Sequence, residues 1–340
     1  MEKKKRQLIW QLPFLVCLIV FTVIIIRNQQ NLPYQRNSGF IFGTTYNITY
    51  QYSDDLNDDI IKVLNEVDAS LSPFNDTSII TKINNNVGVK VNPMFKEVFQ
   101  KAMEVSKATN GAFDITVAPL VNAWGFGFKA SDEVERERID SLKQFIGYEK
   151  VKLVDDKIVK SDARVMLDCS AIAKGYGTDA VAHLLSSKGI DNYMVEIGGE
   201  VVTKGKNARQ QSWHVGVAMP TDDSLCVDNE LQTVLSLSNV SLATSGNYRN
   251  FYYDGNRKLA HTIDPKTGYP VQHSLLSATV LAPTCAEADA YATSFMVMGV
   301  DKAKEIIKKN GHLFVYFIYS DEMGKNKVWH NLPKRFLEQE

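Results

Sequence analysis

The polar and apolar positions change period several times along the chain. Gly43–Tyr52 alternates polar and apolar residues and is rich in Thr, Tyr and Ile, which predicts a strand. Leu56–Leu71 carries Ile60, Ile61, Leu64, Val67 and Leu71 at helical spacing, and Ser72–Asp76 breaks the pattern. Asn92 as N-cap and Pro93 at the first helical position open a second helix that stops at Gly111. Val134–Phe145 reads as a surface helix. Val165–Leu167 reads as a short strand leading into a helix near Ala171–Ser187, and Tyr193–Ile197 as a strand stopped by Gly198-Gly199. The stretch from Ser212 to Ala282 is strand-rich, with candidates at Trp213–Ala218, Thr233–Ser238, Tyr248–Tyr253, Leu259–Ile263 and Ser277–Leu281. Helices at Thr284–Met298 and Lys302–Lys309 and a strand at Leu313–Tyr319 close the pattern. Strands and helices mix without strict βαβ alternation, so the fold class expected is α+β, as one undivided domain over residues 40–335.

The N-terminal residues follow a different rule. Leu8–Ile26 carries no charge, follows Glu-Lys-Lys-Lys-Arg at 2–6 and ends at Arg27. A bilayer core is spanned by about 20 apolar residues, so residues 1–27 are expected to be a basic tip and a transmembrane signal-anchor. Basic residues before the apolar run place the N-terminus inside, and the rest of the chain outside the cytoplasm. The expected location is the inner membrane, with the folded body on the periplasmic side. A cleaved signal peptide would have a shorter apolar region and a small-residue cleavage site, and neither is present. A lipid-modified Cys17 is disfavoured by bulky Val16 before it. A buried core helix is disfavoured by the Asn/Gln-rich segment that follows, so residues 28–39 are expected to be a linker.

Composition narrows the classes. The 340 residues hold 38 Lys and Arg against 39 Asp and Glu, a net charge of −1, which offers no electrostatic case for nucleic acid. There is no Gly-rich dinucleotide or P-loop signature, no His-Glu-x-x-His and no Gly-x-Ser-x-Gly. Cys17, Cys169, Cys226 and Cys285 contain no C-x-x-C pair, and buried free thiols are the expected state of those in the body.

Four constellations could carry chemistry, each beside a plainer reading. Asp289 and Thr293 lie at i and i+4, so on a helix their oxygens face one way. Such hard donors suit Mg²⁺, but a solvated polar face has the same spacing. Asp168-Cys-Ser-Ala171-Ile-Ala-Lys174 joins a strand end to a helix start, where free N–H groups attract phosphate or a plain N-cap forms. His261-Thr-Ile263-Asp264-Pro-Lys-Thr-Gly268 offers a histidine near a carboxylate for general-base work, or simply turn chemistry. Gly111-Ala112-Phe113-Asp114 running to Trp124-Gly-Phe-Gly127 mixes aromatics and glycines, as a planar ligand site or an aromatic core would.

Taken in order, eight blocks carry a family resemblance: Phe42–Ile48, Leu71–Asn84, Gly111–Gly127, Leu167–Asp179, Val195–Gly205, Ala243–Tyr248, His261–Pro270 and Ala286–Gly299. They resemble the ApbE-type flavin transferases, the FAD:protein FMN transferases. The resemblance implies Mg²⁺-dependent transfer of FMN from FAD, the substrate, to a Thr or Ser hydroxyl of a target flavoprotein, with AMP released. It implies metal ligands at Asp289, Thr293 and the Ala171 carbonyl, with a carbonyl near Ala292 as an addition. Flavin contacts fall on Ala112, Phe113, Asp114, Asp168, Lys174 and Ile263. The family's methionine and tyrosine contact positions match Phe42 and Phe74, the second departure removing a hydroxyl. The base implied is His261, with Asp264 orienting it or fixing the turn. Trp124 and Tyr291 are expected to pack rather than to touch ligand. Expected partners are membrane redox-complex subunits and other extracytoplasmic flavoproteins, with the membrane itself through the N-terminal helix and no nucleic acid. A Mg²⁺-dependent FAD pyrophosphatase or a non-catalytic flavin-binding protein would share much of this site.

Overall fold

The computed structural model describes residues 13–22, 32–127, 136–220, 231–247, 251–254 and 257–337. Among these residues the centre is an eight-stranded, wholly antiparallel sheet. Its strands are β1 (Tyr34–Ile41), β2 (Thr44–Gln51), β3 (Tyr193–Ile197), β4 (Glu200–Lys204), β5 (Val240–Gly246), β6 (Leu275–Ala282), β7 (Phe314–Ser320) and β8 (Asn326–His330), adjacent in that order. An antiparallel sheet with helices on one face is the α+β arrangement expected.

The helices are α1 (Asn57–Leu71), α2 (Ile79–Asn84), α3 (Pro93–Ala108), α4 (Ala118–Ala123), α5 (Arg136–Lys143), α6 (Ser170–Ser187), α7 (Cys285–Met298) and α8 (Val300–Lys309). In α1, Ile60, Leu64, Val67 and Leu71 are buried while Ile61 faces solvent, so the apolar stripe is narrower than the sequence reading. Asn92 caps α3 by accepting from the Phe95 N–H at 2.9 Å, as its position before Pro93 predicts. Helices α3, α6 and α7 pack with β5, β6 and β7 into the main core around Phe95, Phe295 and Phe317. The opposite sheet face is covered by a hairpin of Trp213–Ala218 with Leu231–Leu237 and by Leu332 and Phe336.

Several expectations meet a different structure. Tyr34–Ser38, read as linker, belongs to β1 and pairs in register with β2. Alternation fails to reveal it because β1 is a sheet edge, mostly exposed. Val165–Leu167 holds a single bridge, Val117 to Met166, instead of a strand. Strands β4, β5 and β8 escaped the reading. In β4 the residues from Glu200 to Thr203 are all buried, which erases the alternation. Residues 13–22 are helical with exposed apolar side chains, and the rest of Leu8–Ile26 lies outside the described residues. Among the described residues no helix is long and apolar enough to cross a membrane.

Two tight turns stand at the same end of the sheet. β1 and β2 are joined by Phe42-Gly43, with φ of 52° and 74°, and β3 and β4 by Gly198-Gly199, with φ of 63° and 97°. Both central residues of each turn lie in the left-handed region, the geometry of a two-residue hairpin that follows strand twist. The Gly198 N–H donates to the Thr45 carbonyl at 2.9 Å, which ties the turns together. Glycine accepts this backbone without strain. Phe42 does not, and an aromatic residue there marks a position held by its surroundings.

Candidate active site

Beside the Gly198-Gly199 turn lies a cavity of about 500 Å³. Eleven of the residues singled out from sequence line it: Phe74, Ala112, Phe113, Asp114, Asp168, Ala171, Lys174, His261, Ile263, Asp289 and Thr293. They come from five separate stretches of chain. A second cavity of about 490 Å³ is lined by Phe42, Leu71, Pro73, Phe74, Ser170 and Lys174, among others. Phe74, Ser170 and Lys174 border both, so the two cavities meet at a lysine.

Local bonds set each group. The Asp168 N–H donates to the Ile115 carbonyl at 2.7 Å, which joins the Asp114 and Asp168 segments. The Asn84 side chain brackets Leu167, donating to its carbonyl at 2.8 Å and accepting from its N–H at 2.7 Å. The Asp168 carboxylate then accepts from the Ser170 N–H at 2.8 Å, at the start of α6. Asp114 is buried and accepts from the Thr116 N–H and hydroxyl and from the Tyr148 N–H. Burial pushes its carboxyl above the ordinary range, and those three donors work against the push.

Helices α6 and α7 cross closely. Asp179, on α6, accepts from the Cys285 and Ala286 N–H groups at 2.8 Å each and so caps α7 from outside. One turn further along, the Gly175 N–H of α6 donates to Asp289 Oδ2 at 3.1 Å. An N–H has one proton, so the Ala171 carbonyl, four residues before Gly175, shares its helical donor with that carboxylate. Asp289 is 3% exposed, and burial raises its pKa against the pull of Lys174 and Gly175. The Thr293 hydroxyl meets the Ser245 hydroxyl of β5 at 3.1 Å. Lys174 pairs with Glu200. Burial acts against its charge, but Asp289 and Glu200 more than offset this and hold its pKa above the ordinary value.

Three predicted site residues stand apart from the main cavity. Phe42 lines the second cavity, with its ring against Gly177. Asp264 accepts from the Lys266 N–H at 2.9 Å, so of its two expected tasks the structure shows the turn-fixing one. Ala292 is fully buried inside α7 and lies outside the lining of both cavities. The turn after His261 is pinned further by the Trp124 indole N–H, which donates to the Gly268 carbonyl at 2.8 Å. Trp124 also meets Tyr269 edge-on, and Tyr291 packs against Phe295 in the core, as expected of packing residues. Cys169 and Cys285 are free and buried, while Cys226 lies outside the described residues.

Sequence reading missed Glu200, Thr244, Ser245 and the Gly198-Gly199 turn as lining residues. They fall in the resembling blocks Val195–Gly205 and Ala243–Tyr248, where the sequence reading assigns Gly198-Gly199 a strand-stop role and Glu200 none. Among the described residues no group of three or more His, Cys, Asp or Glu is placed to hold a metal. The oxygen donors that the sequence reading singled out on this wall are mixed: the Asp289 carboxylate and the Thr293 hydroxyl, with Ala171 beside them.

The ApbE family model matches residues 42–317. The FAD:protein FMN transferase of Haemophilus influenzae is 37% identical over 304 residues, covering 84% of this chain and 87% of the relative. That of Escherichia coli K12 is 34% identical over 286 residues, covering 82% and 80%. The structure of the flavin transferase ApbE from Vibrio cholerae superposes with a TM-score of 0.81 at 34% identity, over 90% of this chain and 99% of that one. The apo flavinyl transferase ApbE of Pseudomonas stutzeri gives 0.78 at 27% identity, over 88% and 94%. With a family model matching residues 42–317, and with its fold and most of its length in common with these proteins, the chain belongs to the ApbE family.

Proposed function

We propose that this protein is an FAD:protein FMN transferase, which moves FMN from FAD onto a Thr or Ser hydroxyl of a target flavoprotein and releases AMP. The observation that carries the reading is the junction of two partly apolar cavities at Lys174, with Asp289 and Thr293 on the adjacent wall. A dinucleotide has two ring systems joined by a pyrophosphate, and the paired cavities with the Lys174 side chain at their junction match that outline. Phe113, Phe126 and Ile263 offer apolar surface to one ring system and Phe42 and Phe74 to the other.

Lys174 meets the phosphates and offsets their charge. His261 lines the first cavity and takes the proton of the incoming hydroxyl. The oxygen of that hydroxyl forms a bond to the FMN-side phosphorus, the anhydride P–O bond breaks, and its electron pair leaves with AMP. Asp264 and Trp124 hold the turn that carries His261. Mg²⁺ fits the donor chemistry: Asp289, Thr293 and the Ala171 carbonyl would hold it. When bound, it would neutralise charge on the pyrophosphate.

Residues 8–26 act as an uncleaved anchor in the inner membrane, with residues 32 onward on the periplasmic side, where flavoprotein subunits of membrane redox complexes are the targets. What supports this is the exposure of Phe14, Leu15, Val16, Leu18, Ile19, Val20 and Phe21 around the helical residues 13–22. A helix apolar on all sides needs lipid or protein around it.

The test is incubation of the protein with FAD, Mg²⁺ and a Thr-containing acceptor domain, followed by intact mass spectrometry and AMP quantitation. The expected result is an acceptor mass gain equal to FMN, matched by AMP. AMP and free FMN with no acceptor gain would make it a pyrophosphatase, and bound FAD with no AMP would make it a binding protein.

A further inference from the structure

Glu200 is a buried carboxylate with no task in the reaction above. It opens β4, directly after the Gly198-Gly199 turn, and is 2% exposed. One oxygen, Oε1, pairs with the Lys174 ammonium. The other, Oε2, has no hydrogen-bond partner among the described residues. A buried, unpaired carboxylate oxygen costs at least about 1–3 kcal/mol, so a residue with less polar surface would suit the fold better. Serving only as a structural ion pair explains it poorly, because removing both charges is often neutral or stabilising.

The surroundings supply a reason. Lys174 is one cation within electrostatic reach of two carboxylates, Glu200 and Asp289, and Asp289 also receives the Gly175 N–H. Asp179 and the Cys285 thiol are the other titratable groups whose fields reach this cluster, and both lie toward α7. Without Glu200 the ammonium would have Asp289 as its nearest carboxylate partner. A lysine seated on Asp289 neutralises the charge that a divalent cation needs and blocks a coordination direction.

We propose that Glu200 is a positioning residue for the metal site: by holding the Lys174 ammonium, it keeps the Asp289 carboxylate available to a divalent cation. This inference rests on the metal reading given under the proposed function. Glu200 touches neither substrate nor reacting phosphorus; it acts through Lys174. The placement of the groups supports the same view. Glu200 takes up the Lys174 ammonium, and the Asp289 carboxylate, held by the Gly175 N–H, lines the cavity.

The experiment is a titration of the full-length protein in detergent with Mn²⁺ alone, following the free-ion electron paramagnetic resonance signal. Wild type, Glu200→Gln and the double variant Lys174→Met/Glu200→Gln are compared, with thermal melting as the folding control. The expected result is a Mn²⁺ dissociation constant raised roughly tenfold in Glu200→Gln, about 1.4 kcal/mol, and restored toward wild type in the double variant. A fold defect alone would lower the melting temperature and would not be cured by removing Lys174. Equal Mn²⁺ affinity in wild type and Glu200→Gln would overturn the inference and leave the metal reading standing. Absence of Mn²⁺ binding by wild type would overturn the metal reading, and this inference with it. Weak binding that persists in the double variant would show that Glu200 does not act through Lys174.

Discussion

Gly175 controls how closely α6 and α7 approach, and its replacement by alanine tests the basis of the site. A Cβ built on Gly175 would lie 2.4 Å from the Cys285 carbonyl oxygen, 2.7 Å from its carbon and 2.8 Å from Asp289 Cβ. Ordinary contact begins near 3.4 Å, so the closest approach is short by 1.0 Å (3.4 − 2.4). The first two atoms are main chain and cannot rotate away, so α7 must shift by about that distance. Overpacking of this kind costs about 1–3 kcal/mol. The better helix propensity of alanine returns up to about 1 kcal/mol. The net expectation is a loss of about 1–2 kcal/mol in urea unfolding. The functional loss should be larger. A shift of that size stretches the 3.1 Å bond from Gly175 to Asp289 beyond hydrogen-bond range and moves Asp289 relative to Lys174. A misplacement of about 1 Å at a reacting site can cost about a hundredfold in rate. Urea midpoints and the rate of AMP release would be measured beside Gly88→Ala, where a Cβ meets nothing within 4 Å. If Gly175→Ala matched Gly88→Ala in both stability and rate, the close-crossing argument would be wrong.

The other expectations concern charge, base and boundary. Asp289→Ala should abolish Mg²⁺-dependent AMP release; full activity at limiting Mg²⁺ would remove Asp289 from the metal site. His261→Ala should slow transfer by about 10²–10⁴-fold while FAD still binds, as equilibrium dialysis would show, whereas lost binding would make it a binding residue. Burial, moderated by the Ala286 and Cys285 N–H groups, raises the Asp179 pKa from 3.8 to about 6. A raised carboxyl contributes stability that is present below the unfolded value and is lost as pH rises through about 6. The stability difference between wild type and Asp179→Asn should therefore shrink in wild type's disfavour from pH 4 to pH 6, and a difference flat across that range would refute it. Truncation before Leu32 should leave a soluble, active body, whereas truncation before Thr44 removes β1 and should yield aggregating protein, because β2 becomes an unprotected edge. Equal behaviour of the two truncations in size-exclusion chromatography would show that β1 is dispensable.

Much of this protein is written in short stretches of chain. The stripe of α1, the Asn92 cap of α3 and the extents of β3, α6 and α7 follow from spacing and capping chemistry, because each depends on neighbours within a turn or two. The family resemblance carried by the eight ordered blocks also brought eleven of the cavity-lining residues to notice, among them Ala112, Ala171 and Ile263, whose residue types alone point to no chemistry. Tertiary structure decided what local pattern cannot hold. Strand β1 reads as a polar linker until β2 supplies its hydrogen-bond partners, and β4 shows no alternation because both its faces are covered. Asp264 fixes its turn, one of the two roles its motif allows, and the Ala292 side chain is buried in the core. Glu200 shows the difference most plainly. It is one more acidic residue after two glycines until the β3–β4 turn and the start of α6, 26 residues apart along the chain, bring it against Lys174. Its burial and its unpaired oxygen exist only in the folded state, since both are properties of what surrounds a side chain.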